Sequence, residues 1–249
     1  MYWNHRCSAD WLAARKQYLT ASQIGKLLPT TPTGRPRNIE PVFLEIWADK
    51  QACVTEDQIE SRGAMARGHI FEKYAISEYN RHFPEATLYH WDDKIIFNDK
   101  GVAYSPDALN VEPLDGIEFP NIGATLLGEV KSYSAGQHYV LAKANKLQLA
   151  ERWQIATALY VSPTIEQGNL ILFNPDVAHQ LFVHEYRRDE LQSELEMIDE
   201  IAESYQSMTE DFQDYFNTIS YDSWVTSDDI YQQERSNQLT ERSCYEITD

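Results

Sequence analysis

The hexapeptide Leu126-Leu127-Gly128-Glu129-Val130-Lys131 constrains this chain more than any other segment. It reads as a short, largely apolar strand. Side chains alternate along a strand, so Glu129 and Lys131 emerge on one face and Val130 on the other. One face then carries an anion beside a cation, with the Val130 carbonyl between them as a further oxygen. Ser105-Pro106-Asp107 stands upstream, with 22 residues from Asp107 to Glu129. Its proline favours extended or turn geometry in the residue before it. Two carboxylates, a main-chain carbonyl and a lysine can hold a divalent cation against a phosphodiester. Magnesium favours such hard oxygen donors completed by water and substrate. The bound cation would activate water and stabilise the leaving oxygen, and Lys131 would orient the water or offset charge on the phosphate. Taken singly, Ser-Pro-Asp is commonly a turn and Glu-x-Lys a solvated strand face, so the surroundings decide.

Those surroundings alternate between helical and extended patterns. Asp10 to Arg15 reads as a helix, and a second helix begins near Ser22, whose hydroxyl either caps free N–H groups or helps to bind phosphate. Thr30 to Arg37 is a loop by composition. Residues 40–50 form a helix. Ala64 to His82 forms a longer one, with Phe71, Ala75 and Tyr79 four residues apart and Glu72 at the edge of the apolar face. Strands are expected over Thr87–Phe97, Gly101–Ser105, Leu126–Ser132, Asn169–Phe173 and Leu181–Tyr186. A helix is expected over 146–161, ended by Ser162-Pro163. From Arg187 to Met208, Leu191, Leu195, Ile198, Ile201, Tyr205 and Met208 step by three or four, an ordinary core stripe opposite an acidic face. The fold class is therefore α/β, a central mixed β-sheet flanked by helices, with Asp107 and Glu129 at one edge.

Composition narrows the function classes. A chain of 249 residues suffices for one substantial domain, or one domain with an appendage. No apolar run nears the roughly 20 residues that span a bilayer. Cys7, Cys53 and Cys244 are scattered, which fits a reducing, cytoplasmic location. No phosphate-binding glycine loop is visible, so ATP use is not expected. The net charge of −18 is awkward for a DNA enzyme, because phosphate contacts draw on lysine and arginine. The excess is uneven: residues 185–249 hold 18 acidic and 4 basic side chains, against 21 and 17 in residues 1–184. Basic residues stand near the motifs at Arg15-Lys16, Arg62 with Arg67, and Lys143 with Lys146. Residues 209–249 mix aromatic and acidic residues and read as a separate C-terminal extension.

In order along roughly residues 11–208, the chain resembles the PD-(D/E)XK nuclease superfamily, and most closely the lambda-exonuclease-like phage recombination nucleases. The pieces are Trp11 to Ser22, Arg67-Gly68-His69-Ile70-Phe71-Glu72, Ser105-Pro106-Asp107, Glu129-Val130-Lys131, Trp153-Gln154-Ile155 through Tyr160-Val161, and Phe173-Asn174-Pro175-Asp176. The resemblance implies a restriction-endonuclease-like core over 1–208, with 209–249 as a helical acidic extension. It implies that Asp107, Glu129 and Glu72 are metal ligands, assisted by the Val130 carbonyl, and that Lys131 is the catalytic lysine. It assigns Arg15 and Ser22 to a DNA phosphate at the 5′ end, and gives Gln154 a supporting role in DNA binding.

The implied activity is a magnesium-dependent deoxyribonuclease (manganese able to substitute), a 5′-to-3′ exonuclease on linear double-stranded DNA in phage-type recombination. A homotrimeric ring and a single-strand annealing protein are the implied partners, in a bacterial cytoplasm, phage or prophage encoded. An endonuclease or nickase on the same fold is the nearer alternative, and a non-catalytic acidic DNA mimic the more distant one. Three departures from the family pattern stand out: Ala108 follows Pro-Asp where glycine is usual, the linker around Glu112–Pro120 is long, and Ser132-Tyr133 replaces a common Cys-Pro pair.

Overall fold

A computed structural model describes residues 15–27, 39–51, 64–91, 94–113 and 123–218. Trp11, the loop 30–37, Arg62, the three cysteines and the tail beyond residue 218 lie outside them. The chain divides into two units, 1–209 and 210–249. In the second, the rings of Tyr215 and Phe216 meet edge to face at 5.2 Å. The first unit carries the sheets.

In chain order its elements are β1 (Leu19–Thr20), α1 (Ala21–Leu27), α2 (Ile39–Gln51), α3 (Ala64–His82), β2 (Tyr89–His90), β3 (Ile96–Phe97), β4 (Val102–Tyr104), β5 (Ala108–Leu109), β6 (Leu126–Lys131), α4 (Ala135–Lys143), α5 (Arg152–Val161), β7 (Gln167–Phe173), β8 (Leu181–Arg187) and the start of α6 (Gln192–Thr218). A five-stranded mixed sheet runs β2-β5-β6-β7-β8, and a smaller one runs β1-β4-β3. The α/β class with flanking helices stands. The strand of Glu129 is not at an edge, however: β6 is the middle strand, parallel to β7 and antiparallel to β5. Its near-continuous apolar sequence suits burial on both faces.

Other departures from expectation are local. The apolar stretch before Phe97 breaks in two, β2 joining the large sheet and β3 the small one. Residues 146–161 are a short 3-10 turn and then α5, with Asn145 accepting the Leu147 N–H. Helix α4 is announced by no apolar stripe in the sequence; its half-polar residues bury His138 alone.

Each face of β6 and β7 receives a helix. On one, Ala75, Ile76 and Tyr79 of α3 pack with Leu88, Ala108, Leu126, Val130, Ile171 and Phe173. Asn80 fixes the approach to β2, its amide donating to Leu88 O (2.8 Å) and accepting from Leu88 N (2.9 Å). On the other, Ile155 and Leu159 of α5 press on β7 at Gly168. Arg188 closes the end of α5, its guanidinium donating to the Leu159, Ser162 and Ile165 carbonyls. The Leu159 carbonyl is one that the helix end leaves unpaired, and the other two belong to the turn that follows. The expected stripe of α6 buries Leu195, Ile198, Ile201 and Tyr205.

The α5–β7 approach admits no side chain at residue 168. A Cβ there would lie 2.3 Å from Ile155 Cγ2, and a β-branched side chain in a helix has little rotamer freedom with which to yield. Gly168→Ala is expected to destabilise the fold by about 1–3 kcal/mol despite the loss of a glycine. Urea unfolding would show it, and an unchanged midpoint would contradict the packing described.

Candidate active site

Asp107 immediately precedes β5, and register sets its position. Ala108 pairs with Gly128 and Leu109 with Leu127; one step further along that ladder, Asp107 stands opposite Glu129. Two bonds secure the alignment. The Val130 N–H donates to Asp107 Oδ2 at 2.7 Å, and the Trp91 N–H donates to Asp107 O at 3.0 Å. Ala108, where the family pattern favours glycine, is an ordinary strand residue. The close approach falls across the ladder at Gly128, where a Cβ would meet Leu88 Cδ1 at 2.7 Å and Ala108 Cβ at 3.4 Å. Behind the pair, Asn110 closes the base of the long linker: its Oδ1 accepts the Thr125 and Leu126 N–H groups and its amide donates to Thr125 Oγ1.

Glu129 and Lys131 share a face, as alternation requires, and meet at 2.7 Å. The carboxylate side chain is 12% exposed and the lysine 26%. Burial by itself would push the lysine down. The Glu129 and Asp107 carboxylates outweigh it and hold the ammonium well above the usual lysine range. Asp107, Glu129 and Lys131 therefore form one charged group, with Asp107 only 6% exposed.

Glu72 comes from another layer. It is 6% exposed on α3, the helix packed on the Val130 side of β6, and lies 3.5 Å from His90 Nε2. His90 pairs with Ala108 in the sheet. Glu72 is thus linked through His90 to Ala108, the residue that follows Asp107. Among the described residues, no three His, Cys, Asp or Glu side chains close into a metal cage. The donors that do assemble, the Asp107 and Glu129 carboxylates with the Val130 carbonyl one residue on, are all oxygen. That set suits a hard divalent cation with few protein ligands better than a soft one. Next along, Ser132 buries a hydroxyl that has no hydrogen-bond partner among the described residues.

Arg15 and Ser22 are brought together, Arg15 Nη2 donating to Ser22 Oγ at 2.8 Å. Ser22 is not the helix cap. Thr20 holds that position, its N–H donating to Gln23 Oε1 at 2.9 Å, half of a capping box. The Thr20 hydroxyl lies 3.2 Å from that of Ser22. Thr20 also pairs with Ala103 on β4, four residues before Asp107, and four residues span at most about 14 Å. Gln154 is half-buried in the first turn of α5 and makes no side-chain hydrogen bond among the described residues.

Sequence reasoning missed the support beyond Lys131. The Tyr133 hydroxyl donates to Glu151 Oε1 at 2.5 Å, and the Asn174 amide donates to Tyr133 O at 2.9 Å. Burial, then the Glu151 hydrogen bond, raise the Tyr133 phenol well above its ordinary value. No spacing signals the Tyr133–Glu151 pair. Asn174 was visible only as part of Phe173-Asn174-Pro175-Asp176.

The family model of the YqaJ-like viral recombinase domain matches residues 10–164. Among solved structures, LHK-Exo in complex with dAMP is similar at 20% identity and a TM-score of 0.59, the alignment covering 84% of this chain and 96% of that one. The alkaline exonuclease LHK-Exo from Laribacter hongkongensis is similar at 18% identity and a TM-score of 0.60, with the same coverage. At these identities the likeness establishes the fold. No curated protein matches the sequence.

The Glu129–Lys131 pair carries a stability signature. An ammonium raised above its unfolded value stabilises fully below that unfolded value, about pH 10.4, and the effect is lost as pH climbs through the folded one. Without added divalent cation, Lys131→Met is expected to lower stability by about 1–3 kcal/mol, leaving a buried carboxylate without its charged donor. The gap should stay constant from about pH 7 to about pH 9 and shrink only above about pH 10. Denaturant titrations across this range check it; a gap that closes by about pH 9 would contradict the geometry.

Proposed function

The chain belongs to the YqaJ-like viral recombinase domain family, and from that premise we propose that it is a divalent-metal-dependent exodeoxyribonuclease acting on the ends of linear double-stranded DNA in phage-type recombination. The observation that carries this reading is the charged group of Asp107, Glu129 and Lys131, fixed by the β5–β6 register.

Asp107, Glu129 and the Val130 carbonyl are the residues proposed to hold the cation, magnesium first and manganese as a substitute. When bound, such a cation supplies Lewis-acid polarisation of the scissile phosphate. Glu72 is proposed to complete the acidic cluster from α3, through a second ion or a metal-bound water. Lys131 is proposed to orient the attacking water and to offset charge gathering on the phosphate oxygens. An amine kept protonated by two carboxylates is suited to that electrostatic role, and less suited to serve as a base. Arg15 and Ser22 are proposed to grip a strand-terminal phosphate, guanidinium and hydroxyl both serving as donors. Their placement beside β4 puts them a short stretch of chain from Asp107, which favours cutting close to a held end. Gln154 is proposed to support the DNA-binding side of α5.

Polarity from 5′ to 3′, a homotrimeric ring, an annealing partner and a cytoplasmic setting complete the proposal and follow from the family resemblance. Among the described residues no helix is long and apolar enough to cross a membrane.

With magnesium, the protein is expected to release nucleotides from 5′-phosphorylated linear duplex and to leave a covalently closed circle intact. Chelation should stop release, and Asp107→Ala and Lys131→Ala should each slow it by about a hundredfold or more. Acid-soluble nucleotide release measures the linear duplex, the chelation and the two variants, and gel electrophoresis shows whether the circle is nicked. Nicking of the circle would move the assignment to an endonuclease, and unchanged turnover in Lys131→Ala would remove that lysine from the mechanism.

A further inference from the structure

Near the Arg15–Ser22 pair stands an aromatic feature that the proposed reaction does not use. The rings of Tyr18 and Phe97 stack with centroids 4.6 Å apart and planes 18° from parallel. Phe97 is 37% exposed, on the short outer strand β3 of the small sheet. Two connections tie the stack to the phosphate-anchor candidates. The Tyr18 N–H donates to Arg15 O at 3.3 Å, so tyrosine and arginine are the two ends of one turn. In the small sheet, Thr20 pairs with Ala103 and Ala103 with Phe97, so Thr20 and Phe97 share a face. The Thr20 hydroxyl in turn reaches the Ser22 hydroxyl that accepts from Arg15.

We propose that Tyr18 and Phe97 form a base-stacking subsite for the terminal nucleotide of the strand whose phosphate Arg15 and Ser22 hold. The proposal rests on the reading of this protein as a DNA-end-binding enzyme and adds the means by which the end base is gripped. Phosphate contacts position a strand without reading it, and an enzyme that works along DNA of any sequence needs a contact that every base can make. An aromatic face supplies one, because each base has a π-face to offer. Two stacked rings present a flat platform already ordered before the DNA arrives, so little ordering remains to oppose binding. The carboxylates of the cutting centre leave the end strongly dependent on few cations, and an uncharged contact there is the one that salt does not screen.

The test uses the full chain and a 5′-phosphorylated linear duplex with 2-aminopurine as its terminal base, titrated with calcium in place of magnesium. Binding by the unaltered protein should quench the fluorescence, and a duplex with an abasic terminal residue should bind roughly tenfold more weakly. Phe97→Leu and Tyr18→Leu should lose the quench and bind the natural and abasic ends alike, and Phe97→Trp should keep both quench and preference. Equal affinity of the unaltered protein for natural and abasic ends overturns the subsite, and that comparison depends on no variant's folding. Turnover in magnesium is read separately. Turnover without terminal-base quenching overturns the subsite alone; quenching without turnover retires the nuclease reading and leaves the stacking subsite standing.

Discussion

The pairing of β5 with β6 is the constraint on which the rest depends. Alternation along β6 puts Glu129 and Lys131 together, but it says nothing about Asp107. That residue arrives opposite Glu129 because Ala108 faces Gly128, and a slip of one residue would turn the whole set to the other face of the sheet. Three local devices hold the register: the Val130 N–H on the Asp107 carboxylate, the Asn110 clasp on Thr125 and Leu126, and the tight fit of Gly128 against Leu88 and Ala108. Each lies within a few residues of the charged group it positions. The large sheet and its two helical layers then serve as a frame that keeps the strand pair dry and straight.

The excess negative charge takes on a different aspect in the folded chain. Several acids of the C-terminal third are internal partners. Asp199 and Glu203 hold Lys100, Glu190 holds Lys146, and Glu194 holds the buried Arg152, whose guanidinium also lies over the Trp153 ring. The acids there stitch α6 and its approach to the sheet layers. They also engage basic residues that a composition argument would have offered to DNA; Lys146, one of the cations noted near the motifs, is among them.

Much of the site could be read from the chain because its chemistry lies on single strands with a period of two. Glu129, Lys131 and the intervening carbonyl follow from six consecutive letters, and the stripe of α6 follows from a period near 3.6. What escaped was set by contacts distant in sequence. Glu72, at the edge of its helix's apolar face by spacing, is buried because α3 lies against β2 and β6. Tyr89 and Phe97 look like one stretch of strand, yet tertiary pairing sends their halves to different sheets. Ser22 looks like a cap, but Thr20 caps, because Gln23 folds back on its N–H. Tyr133 and Glu151 are eighteen residues apart, and no local pattern announces their bond.

The Asn110 clasp bears on the length of the connection it closes. One side chain gathers both ends of the connection between β5 and β6, so the strand pairing is closed at its base by Asn110, Thr125 and Leu126 themselves. Closing a flexible excursion grows costlier only with the logarithm of its length, about 0.6 kcal/mol per doubling. A connection closed at its base in this way can therefore change length at little energetic cost while the strand pair that aligns Asp107 with Glu129 stays in place.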